Sequence, residues 1–344
     1  MKAVIFYKRG GLEVLKYEDV PAPEIAPDEV LIRVRACGLN HLDLYTREGT
    51  HGVKAPLPHI GGLEPSGEIT AIGSAVKDYK VGDRVLVGAF TWDGTCELCR
   101  AGYDNLCLNR KIIGVNLDGG FAEMVKAPEN TLSHLPDTVS YLTASAIPAA
   151  FGTAWHMLVT RAQIKPEEWV LVLAVGSGVG SAAVQVAKYF GCKVIATSSS
   201  DDKLQKALEM GADHVINYSK NPNFQYEVNR MTNNRGVDVV FEHVGQTTWK
   251  QSLASLRTTG RLVTCGGSAG RTGETDIWSI FWKQLTLMGS NGLTHREFYD
   301  LLPLFEQGKL HAIVDRTFPL AETREAQRYL EERKQFGKVL IVNE

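Results

Sequence analysis

Apolar residues recur with a period of two near the start of the chain. Val30, Ile32 and Val34 share one face of a predicted strand that follows a turn at Pro27-Asp28. Short apolar runs then alternate with turns at Gly61-Gly62, Gly67, Gly73, Gly82-Asp83 and Gly88. This spacing predicts a barrel-like β domain over residues 1–150.

The pattern changes at about residue 151, where apolar strands begin to alternate with helices. A strand at 169–175 precedes a helix at 179–190, and another helix is predicted at 201–210. Further strands are predicted at 193–197, His214–Asn217, Val237–Glu242, 261–265 and 285–289. This alternation predicts an α/β fold with a doubly wound parallel sheet over residues 151–291. We expect the chain to rejoin the first domain from residue 292 and to end on a strand at Lys338–Val342.

Length and charge narrow the class of protein. The 344 residues suit two domains, and a net charge of −2 gives no reason to expect a nucleic-acid partner. The apolar runs are short and interrupted, so we expect no membrane span, and residues 1–7 are typical of a strand rather than a signal peptide. Three of the six cysteines lie within residues 96–107. A cytoplasmic location is the default expectation, and such a cluster then indicates metal before disulfides.

A glycine-rich turn joins the strand at 169–175 to the helix that follows. Its residues are Gly176, Ser177, Gly178, Val179 and Gly180. Small residues let the backbone approach a pyrophosphate, and a helix N-terminus supplies N–H groups and a positive dipole end. The strand–turn–helix context favours dinucleotide binding over a tight turn without a ligand.

The end of the next strand indicates which dinucleotide is preferred. An acid there would select NAD by binding the ribose 2′-hydroxyl, but this chain has Ser198. Serine can donate to a 2′-phosphate, and Lys203 can supply positive charge, so NADP is favoured and NAD stays possible. The alternative is that Asp201 and Asp202 only begin a helix and that Lys203 lies on its solvated face.

The cysteine cluster has the spacing D-x2-C-x2-C-x7-C. Its members are Asp93, Cys96, Cys99 and Cys107. Three thiolates and one carboxylate can complete a tetrahedral zinc site with no open position, which is a structural arrangement. A reactive dithiol and a set of free thiols are the alternatives.

These features together resemble the zinc-type medium-chain dehydrogenases, which include alcohol dehydrogenases and quinone oxidoreductases. The motifs that carry the resemblance are Gly62-x-Glu64-x-x-Gly67, the lobe at 93–107, the glycine-rich turn and Phe336-Gly337-Lys338. The family implies a GroES-like catalytic domain over 1–150 and 292–344, and a Rossmann cofactor domain over 151–291. It also implies homodimers or homotetramers, and further cofactor contacts at Tyr218, Val244, Gly266 and Lys338. The structural lobe of the family usually has four cysteines, so Asp93 is a departure.

The positions that match the catalytic zinc ligands of the family depart further. They are Asn40, Leu63 and Ala149. Leucine and alanine side chains have no lone pair, so two of three ligands are lost. A rearranged zinc site using Cys37 and His59 is the alternative.

Asparagine at the first ligand position is similar to the quinone-oxidoreductase branch, in which hydride passes directly to a conjugated acceptor. By this resemblance Thr153 faces the nicotinamide, and Asn40, His41 and Tyr45 line the substrate side. For Asp43 and Glu64, bracing of loops through hydrogen bonds is the alternative to a part in the chemistry. For His41 the alternative is an ordinary partly buried histidine. His156 and His243 are expected to be structural.

The sequence therefore predicts an NAD(P)H-dependent oxidoreductase that reduces an activated C=C or C=O group of a small molecule without catalytic zinc. Two alternatives stay open: an alcohol dehydrogenase with rearranged zinc ligands, and a non-catalytic nucleotide-binding protein.

Overall fold

The computed structural model describes residues 1–343. Its strands are β1 (Lys2–Phe6), β2 (Lys16–Asp19), β3 (Glu29–Leu39), β4 (His59–Ile60), β5 (Glu64–Ile72), β6 (Arg84–Val87), β7 (Met124–Pro128), β8 (Leu132–His134), β9 (Trp169–Val172), β10 (Lys193–Ser198), β11 (His214–Asn217), β12 (Val237–Glu242), β13 (Leu256–Thr264), β14 (Thr286–Gly289), β15 (Val314–Pro319) and β16 (Lys338–Val342).

Its α-helices are α1 (His41–Glu48), α2 (Glu97–Arg100), α3 (Tyr141–Ala144), α4 (Thr153–Trp155), α5 (Gly178–Tyr189), α6 (Asp201–Glu209), α7 (Gln225–Met231), α8 (Trp249–Ala254), α9 (Ile277–Lys283), α10 (His295–Glu306) and α11 (Thr323–Glu331). Short 3-10 turns lie at Leu12–Val14, Asp104–Leu106, Glu129–Thr131 and Leu320–Glu322, and π-helical stretches lie at Ile147–Gly152 and His156–Arg161.

The chain folds into two compact units. Unit 1 contains Met1–Ala149 and Thr294–Glu344, and unit 2 contains Ala150–Leu293. Each has its own apolar core.

Unit 1 is built from two β-sheets. A three-stranded antiparallel sheet has the order β2-β1-β4, and a seven-stranded sheet has the order β15-β16-β3-β5-β6-β8, with β7 also paired to β3. The 11-residue strand β3 pairs with β5, β7 and β16 and so organises the larger sheet. Its alternating residues Val30, Ile32 and Val34 are buried, as the period-2 pattern predicts.

Unit 2 contains one parallel sheet of six strands in the order β11-β10-β9-β12-β13-β14. The predicted strands at His214–Asn217 and Val237–Glu242 have those bounds. The strand order reverses between β9 and β12. In a doubly wound sheet such a switch point, at the carboxyl ends of the strands, is where a dinucleotide binds.

One helical stretch bears on the expectation that no segment spans a membrane. Tyr141–Arg161 is long and apolar enough, by length and composition alone, to cross a bilayer. Its most apolar window is 72% buried inside the protein, which is typical of a core helix.

Candidate functional site

Asp43 joins the start of α1 to the loop before β5. Its buried carboxylate accepts the backbone N–H of Asn40 at 2.8 Å and that of Gly62 at 3.0 Å. Burial raises the pKa of Asp43 to about 7, and these two hydrogen bonds oppose that increase. Asp43 therefore braces two loops, one of the two roles the sequence left open.

A second group of polar side chains surrounds Glu64, which opens β5 and is fully buried. Its Oε1 accepts the backbone N–H of Ala149 at 2.5 Å, and its Oε2 accepts Nδ2 of Asn40 at 2.7 Å. The Nζ of Lys338 forms an ion pair with Oε2 and donates to Oδ1 of Asn40 at 2.8 Å. We call Asn40, Glu64 and Lys338 the triad.

Both ends of the Asn40 amide are engaged within unit 1. Nδ2 donates to Glu64 and, at 3.4 Å, to the carbonyl of Gly38, while Oδ1 accepts from Lys338. These bonds fix the orientation of the amide, and they compete with any donation by Asn40, which was predicted to line the substrate side, to a substrate oxygen. The predicted cofactor contact of Lys338 stays a prediction. Its ammonium is buried against Glu64 and the carbonyl of Leu39, and these partners compete with a cofactor for it.

The other two positions matched to a catalytic zinc lie in an apolar environment. Leu63 is buried in a cluster with Ala89 and Val115. Partly buried residues that pack against this cluster are Leu42, Val53, Ile112 and Ala149. The cluster offers a hydrophobic wall and no metal-binding atom.

The rearranged zinc site considered for Cys37 and His59 receives no support. His59 Nε2 lies 3.0 Å from the carbonyl of Gly114, and its Nδ1 lies 3.4 Å from a carboxylate oxygen of Asp118. Cys37 is a buried free thiol whose pKa burial raises well above its usual value. Within residues 1–343, neither belongs to a group of three or more clustered metal-binding side chains.

His41 and Tyr45 lie one turn apart on α1, with ring centroids separated by 6.5 Å. The exposed ring of His51 stacks on Tyr45 at a centroid distance of 3.8 Å and an interplanar angle of 23°. Burial raises the pKa of the Tyr45 hydroxyl, which is therefore a proton donor at neutral pH. No sequence motif indicated His51. Thr153 begins α4 in unit 2, and its predicted role toward the nicotinamide stays a prediction.

The structure brings the predicted zinc ligands together. The candidate ligand atoms of Asp93, Cys96, Cys99 and Cys107 all lie within 4.8 Å of one another. Burial and the two neighbouring thiols raise the pKa of Cys99 to about 12. A bound dication would instead stabilise the thiolates, so this donor set fits a tetrahedral zinc ion.

The glycine-rich turn packs closely at the start of α5. Ser177 caps α5, and its Oγ accepts the N–H of Gly180 at 2.9 Å. A Cβ at Gly180 would lie 2.6 Å from the carbonyl oxygen of Ala174, so only glycine lets α5 pack this closely against the end of β9. A Cβ at Gly176 would lie 2.6 Å from Cδ of Lys203, which places the Lys203 stem beside the turn. The turn and the N-terminus of α5 therefore fit a dinucleotide phosphate.

The strand end that selects the cofactor carries no acid. Ser198 is the last residue of β10, and its Oγ accepts the N–H of Ser200 at 3.2 Å. The nearest carboxylate along the chain, that of Asp201, accepts from Asn217 at 2.7 Å and from Lys220 at 2.5 Å. Asp201, the first acidic residue after β10, is therefore already paired with Asn217 and Lys220.

The remaining predicted cofactor residues follow the carboxyl ends of three strands. Tyr218 follows β11 and donates its N–H to the carbonyl of Ser198 at 3.1 Å. Val244 and Gly266 follow β12 and β13, and the loops that contain them are joined by a 2.7 Å hydrogen bond from Ala269 N to Val244 O. A cavity of about 330 Å³ lies here, lined by Gly245, Gln246, Trp249, Thr264, Gly266, Gly267, Gly270, Arg271, Thr272 and Gly273.

Known proteins match both units. Residues 26–137 match the alcohol dehydrogenase GroES-like domain, and residues 178–307 match the zinc-binding dehydrogenase family. An NAD-dependent alcohol dehydrogenase of Sulfolobus acidocaldarius is 31% identical over 351 residues, covering 99% of each chain. An acryloyl-coenzyme A reductase of Sulfurisphaera tokodaii is 32% identical, also over 99% of each chain. A crystal structure of an NAD-dependent alcohol dehydrogenase is 40% identical, with a TM-score of 0.96 over 100% of both chains.

The chain belongs to the medium-chain dehydrogenase/reductase superfamily. The predicted fold class, with a GroES-like domain and a Rossmann sheet, is confirmed. This dehydrogenase/reductase is an NAD(P)-dependent oxidoreductase that binds a nicotinamide cofactor. Because the relatives of this chain are named as enzymes, the alternative of a non-catalytic nucleotide-binding protein is set aside.

Proposed function

We propose that this oxidoreductase prefers NADPH and reduces an activated C=C or C=O group without zinc at the reacting oxygen. The observation that carries the proposal is the chemistry of the three positions matched to catalytic zinc ligands. Leu63 and Ala149 contribute to an apolar wall, and the amide of Asn40 is held between Glu64 and Lys338.

The bound reduced nicotinamide would supply a hydride, which for a conjugated carbonyl substrate goes to the β-carbon. The electron pair of the C=C bond then moves to give an enolate, which takes one proton at its α-carbon to form the saturated carbonyl product. The half-buried hydroxyl of Tyr45 can stabilise the enolate oxygen by hydrogen bonding. His41, one turn away, can relay the proton.

The triad contributes indirectly to this chemistry. The positive charge of Lys338 balances the negative charge of Glu64, so unit 1 presents a neutral, fixed framework beneath α1. Asn40 immediately precedes α1. Its fixed amide and the Asp43 carboxylate therefore fix the start of α1, and with it the positions of His41 and Tyr45. Asn40 is thus a positioning residue in this proposal, and Tyr45 carries the predicted donor role.

The preference for NADPH follows from Ser198 and Lys203. A serine at the end of β10 cannot repel a 2′-phosphate, and the Lys203 stem lies beside the glycine-rich turn. The lobe at 93–107 would hold one structural zinc ion through Asp93, Cys96, Cys99 and Cys107.

We also infer that a second copy of the chain covers one side of unit 2. Strand β14 is the edge strand of the parallel sheet, and α9 directly precedes it. Four large apolar side chains of α9 are 55–76% exposed: Ile277, Trp278, Phe281 and Trp282. Edge-to-edge pairing of two β14 strands around a twofold axis would bury both the edge and these side chains. Sedimentation of the wild type should show a homodimer or a homotetramer. The double variant Trp278→Asp, Trp282→Asp should sediment as a smaller species. A monomeric wild type would contradict the inference.

A substrate panel tests the proposed function. NADPH oxidation is followed with conjugated enones, enoyl thioesters, quinones and simple aldehydes, and alcohol oxidation is followed with NADP and NAD. Turnover of one of the first three classes, with little alcohol oxidation, supports the proposal. Alcohol oxidation that requires added zinc would favour an alcohol dehydrogenase, which is what two of the similar proteins are named.

A further inference from the structure

Glu242 ends the central strand β12 at the switch point of the parallel sheet. The strand order reverses between β12 and β9, and a dinucleotide binds at the carboxyl ends of such strands. The side chain of Glu242 is fully buried. A buried carboxyl group at this position requires an explanation, because burying a charge is costly unless it is well solvated by the protein.

All four groups that donate to the Glu242 carboxylate are neutral. Oε1 accepts the backbone N–H of Val244 at 2.7 Å and that of Gly245 at 3.0 Å. The Thr248 hydroxyl lies 3.2 Å from Oε1 and 3.0 Å from Oε2, and the Ser252 hydroxyl lies 2.6 Å from Oε2. Several convergent N–H and O–H donors suit an ionised carboxylate, and they leave its negative charge without a cation among them.

The neighbouring titratable groups do not neutralise this charge. Nε2 of His243 lies 2.8 Å from the carbonyl of Leu173, which follows β9, and burial lowers the pKa of His243 so that the ring is neutral at pH 7. Burial and the nearby Glu242 raise the pKa of the Cys265 thiol to about 12, so it is also uncharged.

The same carboxylate anchors the loop after β12, to which the loop after β13 is hydrogen-bonded. It holds Val244 and Gly245, and the carbonyls of His243 and Val244 accept hydrogen bonds from Ser268 Oγ at 3.3 Å and Ala269 N at 2.7 Å. Glu242 is therefore built into the frame of the loops that carry the predicted cofactor residues.

We propose that the negative charge of Glu242 favours the oxidised cofactor over the reduced cofactor and so makes the bound reduced form a stronger hydride donor. The oxidised nicotinamide ring is cationic and the reduced ring is neutral, so a fixed negative charge at the switch point stabilises only the former. A unit negative charge within about 10 Å of the cationic ring, at an effective dielectric constant of about 20, would change the affinity ratio by about tenfold. The inference rests on nicotinamide binding alone and requires neither the proposed substrate nor the preference for NADPH.

The test is the ratio of dissociation constants for the oxidised and reduced forms of whichever cofactor binds more tightly. Both constants are measured by fluorescence or calorimetric titration of the full chain without substrate. Glu242→Gln removes the charge and can keep the hydrogen bonds, because the Thr248 and Ser252 hydroxyls can turn to accept from an amide. Its ratio of oxidised to reduced dissociation constants should rise about tenfold. Ser252→Ala, which removes one hydrogen bond and keeps the charge, should leave the ratio within about twofold.

An unchanged ratio in folded Glu242→Gln would overturn the proposal, and so would an equal rise in Ser252→Ala. If Glu242→Gln does not fold, the exposed neighbour Gln246 provides a second test. Gln246→Lys should raise the ratio and Gln246→Glu should lower it, by less than Glu242→Gln because solvent screens these charges. Equal ratios in the two Gln246 variants would contradict the proposal. Failure of the substrate panel would leave these binding ratios unaffected.

Discussion

The ammonium group of Lys338 lies 2.8 Å from Oδ1 of Asn40, although 298 residues separate the two in sequence. Lys338 opens the last strand, β16, and Asn40 follows β3, to which β16 is paired in antiparallel register. The pairing of these strands places the Lys338 ammonium beside the Glu64 carboxylate. Asn40, at the position matched to a zinc ligand, is thereby fixed by the fold of unit 1.

Removal of the Lys338 charge should destabilise unit 1. In Lys338→Met the carboxylate of Glu64 stays buried without its cation, so we expect the free energy of unfolding to fall by about 3–5 kcal/mol. The exposed Lys334→Met should change it by less than about 0.5 kcal/mol. Chemical denaturation of both variants checks this. A Lys338→Met variant as stable as wild type would mean that the ion pair contributes little.

Loss of the Tyr45 hydroxyl should slow the chemical step. Tyr45→Phe keeps the stacking on His51 but removes the predicted donor to the enolate oxygen, so single-turnover reduction should slow by about 100-fold. NADPH binding should stay unchanged, and Tyr17→Phe, at an exposed tyrosine of β2, should keep the wild-type rate. His41→Ala should also slow reduction, with a smaller loss if solvent can supply the proton. If Tyr45→Phe and His41→Ala both keep near wild-type rates, the side chains of α1 take no part in the chemical step.

A carboxylate at the end of β10 should reverse the cofactor preference. Ser198→Asp would repel the 2′-phosphate and accept a hydrogen bond from a 2′-hydroxyl, so NADPH affinity should fall by about tenfold or more while NADH affinity rises. Ser199→Asp adds the same charge at the next, exposed position and should have a smaller effect. Titration with both cofactors decides the matter. A wild type that already binds NADH more tightly would contradict the assignment of Ser198.

Elemental analysis should find about one zinc per subunit, held in the lobe at 93–107. Cys107→Ser should lose that zinc and lower the melting temperature, whereas Cys192→Ser, at a buried cysteine of unit 2, should retain it. The chemical rate of Cys107→Ser at a temperature where it stays folded should be close to wild type, because the site has no open position. Retention of zinc by Cys107→Ser would contradict the ligand assignment.

Sequence patterns predicted those features that depend on residues close together in the chain. The cysteine spacing predicted a cluster whose ligand atoms do converge, and the glycine-rich stretch predicted a turn between a strand and a helix, where the structure has it between β9 and α5. The period-2 and strand–helix patterns similarly predicted the two kinds of sheet. Each of these depends on backbone geometry within about a dozen residues.

The arrangement around Asn40 could not be predicted in this way. Its hydrogen bonds to Glu64 and Lys338 span 24 and 298 residues and depend on how β3, β5 and β16 pair. The stacking of His51 on Tyr45 depends on a loop conformation with positive φ at His51, which no local motif indicates. The burial of the apolar stretch Tyr141–Arg161 likewise depends on the packed core and not on its own sequence.

Zinc content and substrate class, measured on the same preparation, show whether zinc acts at the reacting oxygen. With about one zinc per subunit, the enzyme should oxidise NADPH in the presence of a conjugated enone, enoyl thioester or quinone, and its turnover should not increase when zinc is added. Activity confined to alcohols and simple aldehydes, rising in proportion to a second bound zinc per subunit, would show instead that this enzyme is a zinc-dependent alcohol dehydrogenase.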